Sequence, residues 1–179
     1  MASNTKDTIL QAYFNLITQK NIDKVTVKDV VEVCGITRQT FYYHFQDLLD
    51  VVEFGFRQRL EACIHQGLEA ENIQEALRIY LSYTDRYRIL ARKLINSQKK
   101  QQICDLVLIS IQDWLFEMFR EKYSNGEYPV HETDFAIHFY AYAISGSLYD
   151  IIWNDEPDLD FIVTQTTKLL EPVFGSSAS

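Results

Sequence analysis

The sequence predicts an all-α protein, from its few helix-breaking residues and the spacing of its apolar ones. Its 179 residues include only six glycines and three prolines, so few positions interrupt a helix. Valine and isoleucine seldom alternate with polar residues as they do in strands, and apolar side chains recur at helical spacing instead. A hydrophobic content of 47% is sufficient for a full core, which one large domain or two smaller ones could share.

Two short helices are predicted at the start of the chain. Asn4 or Thr5 can cap the first helix, whose apolar residues recur at helical spacing until about Lys20. Thr26 and Asp29 have the spacing of a capping box, in which aspartate takes the place of the usual glutamate. This capping box marks the beginning of a second helix that is rich in valine.

A turn and a third helix complete this N-terminal unit. Gly35 lies where a left-handed residue can end the second helix, and Thr37 can cap a third helix shortly afterwards. A helix, a glycine-containing turn and another helix form a helix-turn-helix motif. Phe41 and Phe45 are four residues apart, so they share a face that can anchor the third helix on the first two. The opposite face carries Arg38, Gln39, Thr40, Tyr42, Tyr43 and His44.

The side chains on that opposite face have the chemistry of a major-groove reader. Arginine and glutamine can pair bidentately with guanine and adenine edges, and threonine and tyrosine can touch thymine methyl groups. Hydroxyl and imidazole groups can hold the phosphates. The third helix is therefore predicted to bind duplex DNA.

The stretch TVKDVVEVCGITRQTFYYHFQDLL, residues 26–49, resembles the DNA-binding domain of the TetR family of transcriptional regulators. Its residues 40–45 match the T-x-Y-x-H-F pattern of that family's third helix. The resemblance implies base contacts near residues 37–40 and backbone contacts from Tyr42 and His44, while Tyr43 could serve either role. The candidate DNA-binding residues are Thr26, Lys28, Thr37, Arg38, Gln39, Thr40, Tyr42, Tyr43 and His44.

The segment after the third helix departs from the family pattern. Many relatives place a lysine there that contacts phosphate, whereas this chain has Leu48 between Asp47 and Asp50. Two carboxylates beside DNA would weaken binding, unless Asp47 caps the fourth helix. Lys24 and Lys28 are positioned to compensate in part.

The remainder of the chain is predicted to be helical as well. A long helix begins near Asp47 and runs towards Gly67, and further helices are expected at 72–84, 87–96, 100–123, 132–153 and 159–170. The predicted fold thus has an N-terminal three-helix helix-turn-helix domain, residues 1–50. A larger helical effector-binding and dimerisation domain follows at 51–179, and we expect about nine helices in total.

The helix predicted at 132–153 is apolar nearly all round, so it must be buried on two sides. One side can face the core and the other a symmetric partner, and the small residues Ala143, Gly146 and Ser147 would allow close approach. Phe161 and Leu169 of the last helix would join that interface. Small-residue packing within a single chain is the competing interpretation.

An effector site is implied by the resemblance, and aromatic side chains with hydroxyl groups commonly line such pockets. The candidates are Tyr83, Tyr87, Trp114, Phe139 and Tyr142. Aromatic residues at helical spacing more often belong to the core, so each of them could pack without touching a ligand. The sequence does not indicate the identity of the effector.

The charge is distributed unevenly along the chain. The first 46 residues carry five basic and four acidic side chains, and the remainder carries 12 basic and 21 acidic ones, for a net charge of −8. A polyanion would be repelled by most of the molecule, so only the N-terminal unit is expected to approach DNA.

Several classes of protein are disfavoured by what the sequence lacks. The longest uncharged run, residues 135–149, is shorter than the roughly 20 residues of a membrane span, and we expect a cytoplasmic protein without membrane contact. Cys34, Cys63 and Cys104 form no CxxC pair and are read as free thiols. His131, Asp134 and His138 could share a helix face, but such groups are more often solvated, so no metal, cofactor or catalytic residue is predicted.

The function predicted from these observations is that of a ligand-responsive regulator. It would bind pseudo-palindromic operator DNA as a homodimer and respond to a small-molecule effector, most often as a repressor. An adaptor or co-activator with weak DNA contact, acting through a partner protein, is the alternative. The sign of regulation also stays open, since some relatives of this type are activators.

Overall fold

The structure, a computed structural model, describes residues 4–122 and 130–174, and the side chains of residues 4–120 and 134–170. Within the two backbone ranges the chain forms nine α-helices and no strand, which confirms the predicted all-α class. The helices are α1 (Thr5–Gln19), α2 (Val27–Cys34), α3 (Arg38–His44), α4 (Leu48–Leu68), α5 (Ile73–Arg86), α6 (Arg88–Ile95), α7 (Lys100–Lys122), α8 (Val130–Trp153) and α9 (Leu159–Phe174).

The ends of the first helices follow the capping signals of the sequence. The Asn4 side chain accepts from Lys6 N at the start of α1. Thr26 and Asp29 form a complete capping box at the start of α2, and Gly35 ends that helix with φ of 66°. One short element was not predicted, a single 3-10 turn at Ile22–Lys24 between α1 and α2.

Helices α1, α2 and α3 pack as one N-terminal unit, which we call the head. Phe41 is fully buried and Phe45 is 3% exposed, and both join Val30 and Val31 of α2 in a single apolar cluster. The prediction that these two phenylalanines anchor α3 on the first two helices is confirmed. The outer face of α3 is consequently held in a fixed orientation.

Helix α4 connects the head to the rest of the molecule, which we call the body. It crosses α1 closely at Gly55, where an added Cβ atom would lie 2.8 Å from Leu10 Cδ1 and 3.1 Å from Phe14 Cζ. Its first turns contribute Val51 and Val52 to the apolar cluster of the head. The head and the body are therefore joined by continuous packing.

We expect Gly55→Ala to lower the free energy of unfolding by about 1–2 kcal/mol. The added methyl group overpacks the crossing with α1, and this destabilises the fold more than the higher helix propensity of alanine stabilises it. Urea denaturation followed by circular dichroism would measure the change. Glu61→Ala, at an exposed position of the same helix, is the control and should stay within about 0.5 kcal/mol of the parent. A Gly55→Ala protein as stable as the parent would contradict the close crossing.

The body is built around a second apolar cluster formed by α4, α5, α7, α8 and α9. Trp114 of α7 is fully buried at its centre and lies against the Tyr80 ring, with 5.1 Å between ring centroids. Gly67 lets α4 and α7 approach, since an added Cβ atom would be 3.3 Å from the Met118 side chain. None of the helices within the described ranges is both long enough and apolar enough to span a membrane.

Helix α6 ties the head to the body by polar contacts. Lys93 Nζ donates to the carbonyl oxygens of Ile17 and Thr18 at the end of α1, each at 2.7 Å. A cation placed on the last carbonyls of a helix is favoured by the helix dipole. On another side of α6, Arg92 forms an ion pair with Asp155 at 2.8 Å, just beyond α8.

Candidate DNA-reading face and adjoining cavity

The outer face of α3 carries two polar side chains, Arg38 and Gln39, that are uncommitted: neither forms a side-chain hydrogen bond or ion pair with the residues that the structure describes. Both side chains are exposed. Tyr43 is 85% exposed and Tyr42 is 57% exposed, although aromatic side chains of a folded monomer are usually more covered. Arg38 and Gln39 can therefore bind an external partner without breaking side-chain hydrogen bonds or ion pairs to the described residues.

The threonines predicted to contact DNA have structural roles in the described conformation. Thr37 Oγ1 accepts from Thr40 N at 3.0 Å and lies 2.9 Å from Thr40 Oγ1. Thr26 N and Oγ1 both donate to Asp29 Oδ2, at 2.7 Å and 2.6 Å. These hydroxyls primarily fix helix starts, which places the exposed side chains that follow them.

Two lysines pair with acidic residues of α2. Hydrogen bonds from Thr26, and then the ion pair with Lys20 at 2.9 Å, hold the pKa of Asp29 well below its usual range. Lys28 is exposed and makes only a loose ion pair with Glu32, at 3.7 Å. Exposed pairs of this kind contribute little to stability, so Lys28 can exchange Glu32 for a phosphate at small cost.

Asp47 and Asp50, which lie on either side of the position where many relatives have a phosphate-binding lysine, are used inside the turn between α3 and α4. Asp47 accepts from Leu49 N at 2.7 Å and from Asp50 N at 3.0 Å as the cap of α4. Asp50 in turn accepts from Gln46 N at 2.9 Å. Their carboxylates therefore fix the turn, which is the capping alternative that the sequence left open for Asp47.

Ring contacts connect neighbouring aromatic side chains of α3. The Phe41 ring meets the Tyr42 ring edge-on at 5.4 Å, and the Tyr43 and His44 rings lie 5.0 Å apart. Lys6 Nζ lies 5.6 Å from the centroid of the Phe45 ring. His44 is half-buried, whereas its neighbour Tyr43 points to solvent.

A cavity of about 120 Å³ lies next to the head, between α1 and the helices of the body. Of the predicted ligand residues, Tyr83 and Tyr87 line it. Trp114 is packed in the body core, while Phe139 and Tyr142 lie on the exposed side of α8, so these three do not line this cavity. Its walls are Phe14, Phe56, Arg59, Leu60, Cys63, Tyr80, Tyr83, Thr84, Tyr87, Leu90, Ala91, Leu94, Ile95, Ile103, Val107, Ser110, Leu148 and Ile152.

Sequence reasoning missed the one charged residue of this cavity among those described, Arg59. A signal was present, because Phe56, Arg59, Leu60 and Cys63 follow each other at helical spacing on α4. An arginine on an otherwise apolar stripe is uncommon, and its position could have drawn attention to the cavity.

An apolar surface remains exposed on α8 and α9, and we call it the α8–α9 face. Its large side chains are Phe135, Phe139, Tyr142, Tyr149, Trp153, Phe161 and Leu169, each between 39% and 71% exposed. Ala143 and Gly146 are also exposed, and a Cβ atom added at Gly146 would meet nothing within 4 Å. Ser147 is half-buried, with its Oγ 3.4 Å from Thr166 Oγ1.

The possible metal ligands of α8 do not form a described cluster. His138 Nδ1 lies 2.8 Å from the backbone carbonyl oxygen of Asp134, and the side chain of His131 lies outside the described residues. Among the side chains that the structure describes, no group of three histidine, cysteine or acidic residues comes together as a metal site would require.

Two family models match the chain. The model described as bacterial regulatory proteins, tetR family, matches residues 9–50, which span most of α1, all of α2 and α3, and the start of α4. A second model, described as a transcriptional regulator C-terminal region, matches residues 71–171 and therefore more than half of the chain.

Comparison with individual proteins gives relatives over nearly the whole length. The HTH-type dhaKLM operon transcriptional activator DhaS of Lactococcus lactis subsp. lactis is 25% identical over 168 residues, which are 93% of this chain and 88% of DhaS.

Solved structures share the fold at lower identity. A dihydroxyacetone kinase operon activator DhaS has a TM-score of 0.74 at 22% identity, with 98% of each chain covered. The TetR family repressor AlkX from Dietzia sp., implicated in biodegradation of n-alkanes, has a TM-score of 0.65 at 17% identity, with 96% of this chain and 98% of AlkX covered.

Proposed function

This chain belongs to the TetR family of bacterial transcriptional regulators, and from that premise we propose that it binds operator DNA through α3 as a homodimer and responds to a small-molecule effector. The observation that carries the DNA-binding role is the outer face of α3. There, the uncommitted Arg38 and Gln39 stand on a helix that buried Phe41 and Phe45 hold in place.

Each residue of this face is assigned a role by its chemistry. Arg38 and Gln39 are the candidates for reading base edges in the major groove, because both can form bidentate hydrogen bonds. Tyr42, His44 and Lys28 are assigned to the phosphates on either side of the groove, which position the helix without reading sequence. Tyr43 can serve either purpose, and Thr26, Thr37 and Thr40 can add contacts beyond their capping bonds.

The homodimer is proposed on the α8–α9 face. Large exposed apolar side chains concentrated on two helices of a folded chain suggest an interaction surface. Exposed Ala143 and Gly146 leave room at its centre for close approach by a second copy of the same helix. Such a dimer would present two copies of α3 to successive major grooves, about 34 Å apart.

The effector is assigned to the cavity beside the head. Phe14 of α1 forms part of its wall, so a ligand there contacts the head and the body together. A bound ligand that favours one arrangement of α1 against α6 changes the spacing of the two reading helices, and with it the affinity for DNA.

Repression is the sign that we propose, because a dimer seated on a promoter blocks its use by polymerase. The relative DhaS is named an activator, which makes activation the competing outcome. Transcription in vitro from a promoter that carries a DNA sequence bound by the protein would decide between them. Added protein must lower the transcript yield if it is a repressor and raise it if it is an activator. A regulator of either sign would act in the bacterial cytoplasm, where the DNA is.

The test of DNA binding is selection of duplexes from a random-sequence pool by the purified protein at two salt concentrations, followed by sequencing. We expect an enriched inverted repeat with half-sites about one helical turn apart. Each phosphate contact should add about −0.9 to the slope of log affinity against log salt concentration. Absence of enrichment, also after unfolding and refolding to remove a bound effector, would contradict direct reading and favour the adaptor alternative.

We expect Arg38→Ala to weaken binding to the selected operator by about 1–3 kcal/mol, roughly 5- to 150-fold, and to relax selectivity at one base pair of each half-site. Fluorescence anisotropy with operator variants would measure both effects. Arg120→Ala, which removes an exposed arginine of the body, is the control and should leave affinity and selectivity unchanged. Equal losses on every sequence would assign Arg38 to phosphate instead.

A further inference from the structure

We propose that the cavity beside the head binds a small organic carboxylate with a compact apolar body, and that its carboxylate is held by Arg59. This inference names the chemical class of the effector and so rests on the proposed function of the cavity. Four properties of the site support it: the free N–H donors of Arg59, the absence of acidic groups among the described wall residues, the cavity volume and its position next to the head.

Arg59 is partly buried and forms no ion pair with an acidic residue among the side chains that the structure describes. Its guanidinium lies between two aromatic rings, 4.4 Å from the Tyr87 centroid and 5.0 Å from the Phe14 centroid. Its one hydrogen bond to the described residues runs from Nη1 to the Gly55 carbonyl oxygen, at 3.1 Å. The remaining N–H groups of the fork are therefore available to an acceptor that the chain does not supply.

The cavity walls carry no negative charge that could pair with this cation. No aspartate or glutamate is among the described residues that line it. Burial raises the pKa of the Cys63 thiol to about 12, and burial also raises the pKa of the Tyr80 hydroxyl. Both groups are neutral at physiological pH, so among the described wall residues a ligand anion would meet one positive charge and no negative one. Asp113, whose charge contributes to raising the pKa of Tyr80, is not one of the wall residues.

Volume and composition define the rest of the ligand. A cavity of about 120 Å³ is somewhat smaller than an engineered apolar cavity of about 150 Å³ that binds benzene. The walls other than Arg59 are mainly aliphatic and aromatic, with a few hydroxyl groups such as those of Thr84 and Ser110. A short branched chain attached to one carboxylate fits this description, and a single ring with a carboxylate marks its upper size limit.

The position of Arg59 explains why such an anion would be felt by the head. The guanidinium bridges Phe14 of α1, Gly55 of α4 and Tyr87 between α5 and α6. A carboxylate bound to the free N–H groups of Arg59 would require a guanidinium orientation that differs from the one fixed by its contacts with the Tyr87 and Phe14 rings. Charge-assisted bidentate bonds are the stronger interaction, so the guanidinium is expected to follow the ligand.

The experiment is calorimetric titration of the full-length protein with benzoate and 3-methylbutanoate, and with their neutral amides, at constant ionic strength. We expect saturable binding of at least one carboxylate and at least tenfold weaker binding of its amide, since a lost charge-assisted bond is worth about that factor. Equal binding of acid and amide, or saturable binding of neither acid, would overturn the proposal.

Variants separate the two parts of the site. Arg59→Gln should lose carboxylate binding, Arg59→Lys should retain part of it, and Ala91→Leu should abolish it by filling the cavity. Arg57→Gln removes a charge from an exposed position of the same helix and should bind as the parent does. Unchanged carboxylate affinity in Arg59→Gln would overturn the assignment, and if that variant does not fold, the Arg59→Lys and Ala91→Leu results decide.

Failure of this inference can be told from failure of the proposed function. Operator selection by the same preparation without carboxylate tests DNA binding alone. An enriched operator together with no carboxylate binding removes only the ligand class. Carboxylate binding without any operator preserves the ligand class and contradicts the DNA-binding role.

Discussion

Phe41→Ala is expected to destabilise the protein by about 3–5 kcal/mol and to abolish specific operator binding, because truncating a fully buried phenylalanine removes its apolar contacts and leaves a cavity. A whole domain is typically stable by only about 5–15 kcal/mol, so this loss is a large share of the total. Phe41 also fixes the orientation of α3, and a helix that is no longer anchored cannot hold its outer face in a groove. Urea denaturation and operator binding by anisotropy would measure both effects.

Tyr43→Ala is the matched control on the same helix, two positions away. Its side chain is 85% exposed, so the free energy of unfolding should change by no more than about 0.5 kcal/mol. Operator affinity should nevertheless fall, because Tyr43 lies on the outer face of α3. A Phe41→Ala protein that unfolds at the same urea concentration as Tyr43→Ala would show that α3 is not anchored as the structure has it.

Phe161→Glu is expected to convert the proposed dimer to a monomer and to lower operator affinity at least about 100-fold, since each half-site must then be bound independently. Phe161 is 61% exposed within the chain, so the substitution should leave the fold of a single copy intact. In a symmetric dimer the same change buries two unpaired carboxylates, which is costly. Sedimentation velocity over a range of concentrations would measure the association.

Ile89→Glu provides the comparison for this dimer prediction. Ile89 is 65% exposed on α6 and does not belong to the α8–α9 face, so the same charge change there should leave the dimer and operator affinity as they are. A Phe161→Glu protein that sediments as the parent does would contradict the proposed interface. Circular dichroism of each variant would verify that the fold is retained.

The head could be predicted from sequence because its signals are local. The capping box of Thr26 and Asp29, the left-handed Gly35 and the spacing of Phe41 and Phe45 each act within a few residues. Local hydrogen bonding and periodicity were therefore sufficient to place α1, α2 and α3. The uncommitted state of Arg38 could not be predicted, since it depends on what the rest of the chain does not bring near.

The body illustrates what periodicity leaves undecided. Helix α8 is apolar on opposite sides, and the sequence alone does not say which side faces the core. In the structure, side chains such as Ile144 and Ile151 face inward, whereas Phe139 and Tyr142 face outward. These two aromatic residues are candidates for an effector pocket on sequence grounds, yet they lie away from the cavity. The cavity instead draws its walls from six helices, an arrangement that only the tertiary packing creates.

Helix α6 has a thermodynamic consequence. In eight residues it supplies Leu90 and Leu94 to both the head cluster and the cavity wall, Lys93 to the end of α1, and Arg92 to the end of α8. When two ligands are coupled through the same element of a protein, each changes the affinity of the other by the same factor. Under the proposed function, whatever factor an effector imposes on operator affinity, operator DNA must impose on effector affinity, so occupancy of the operator would shift the effector concentration at which the protein responds.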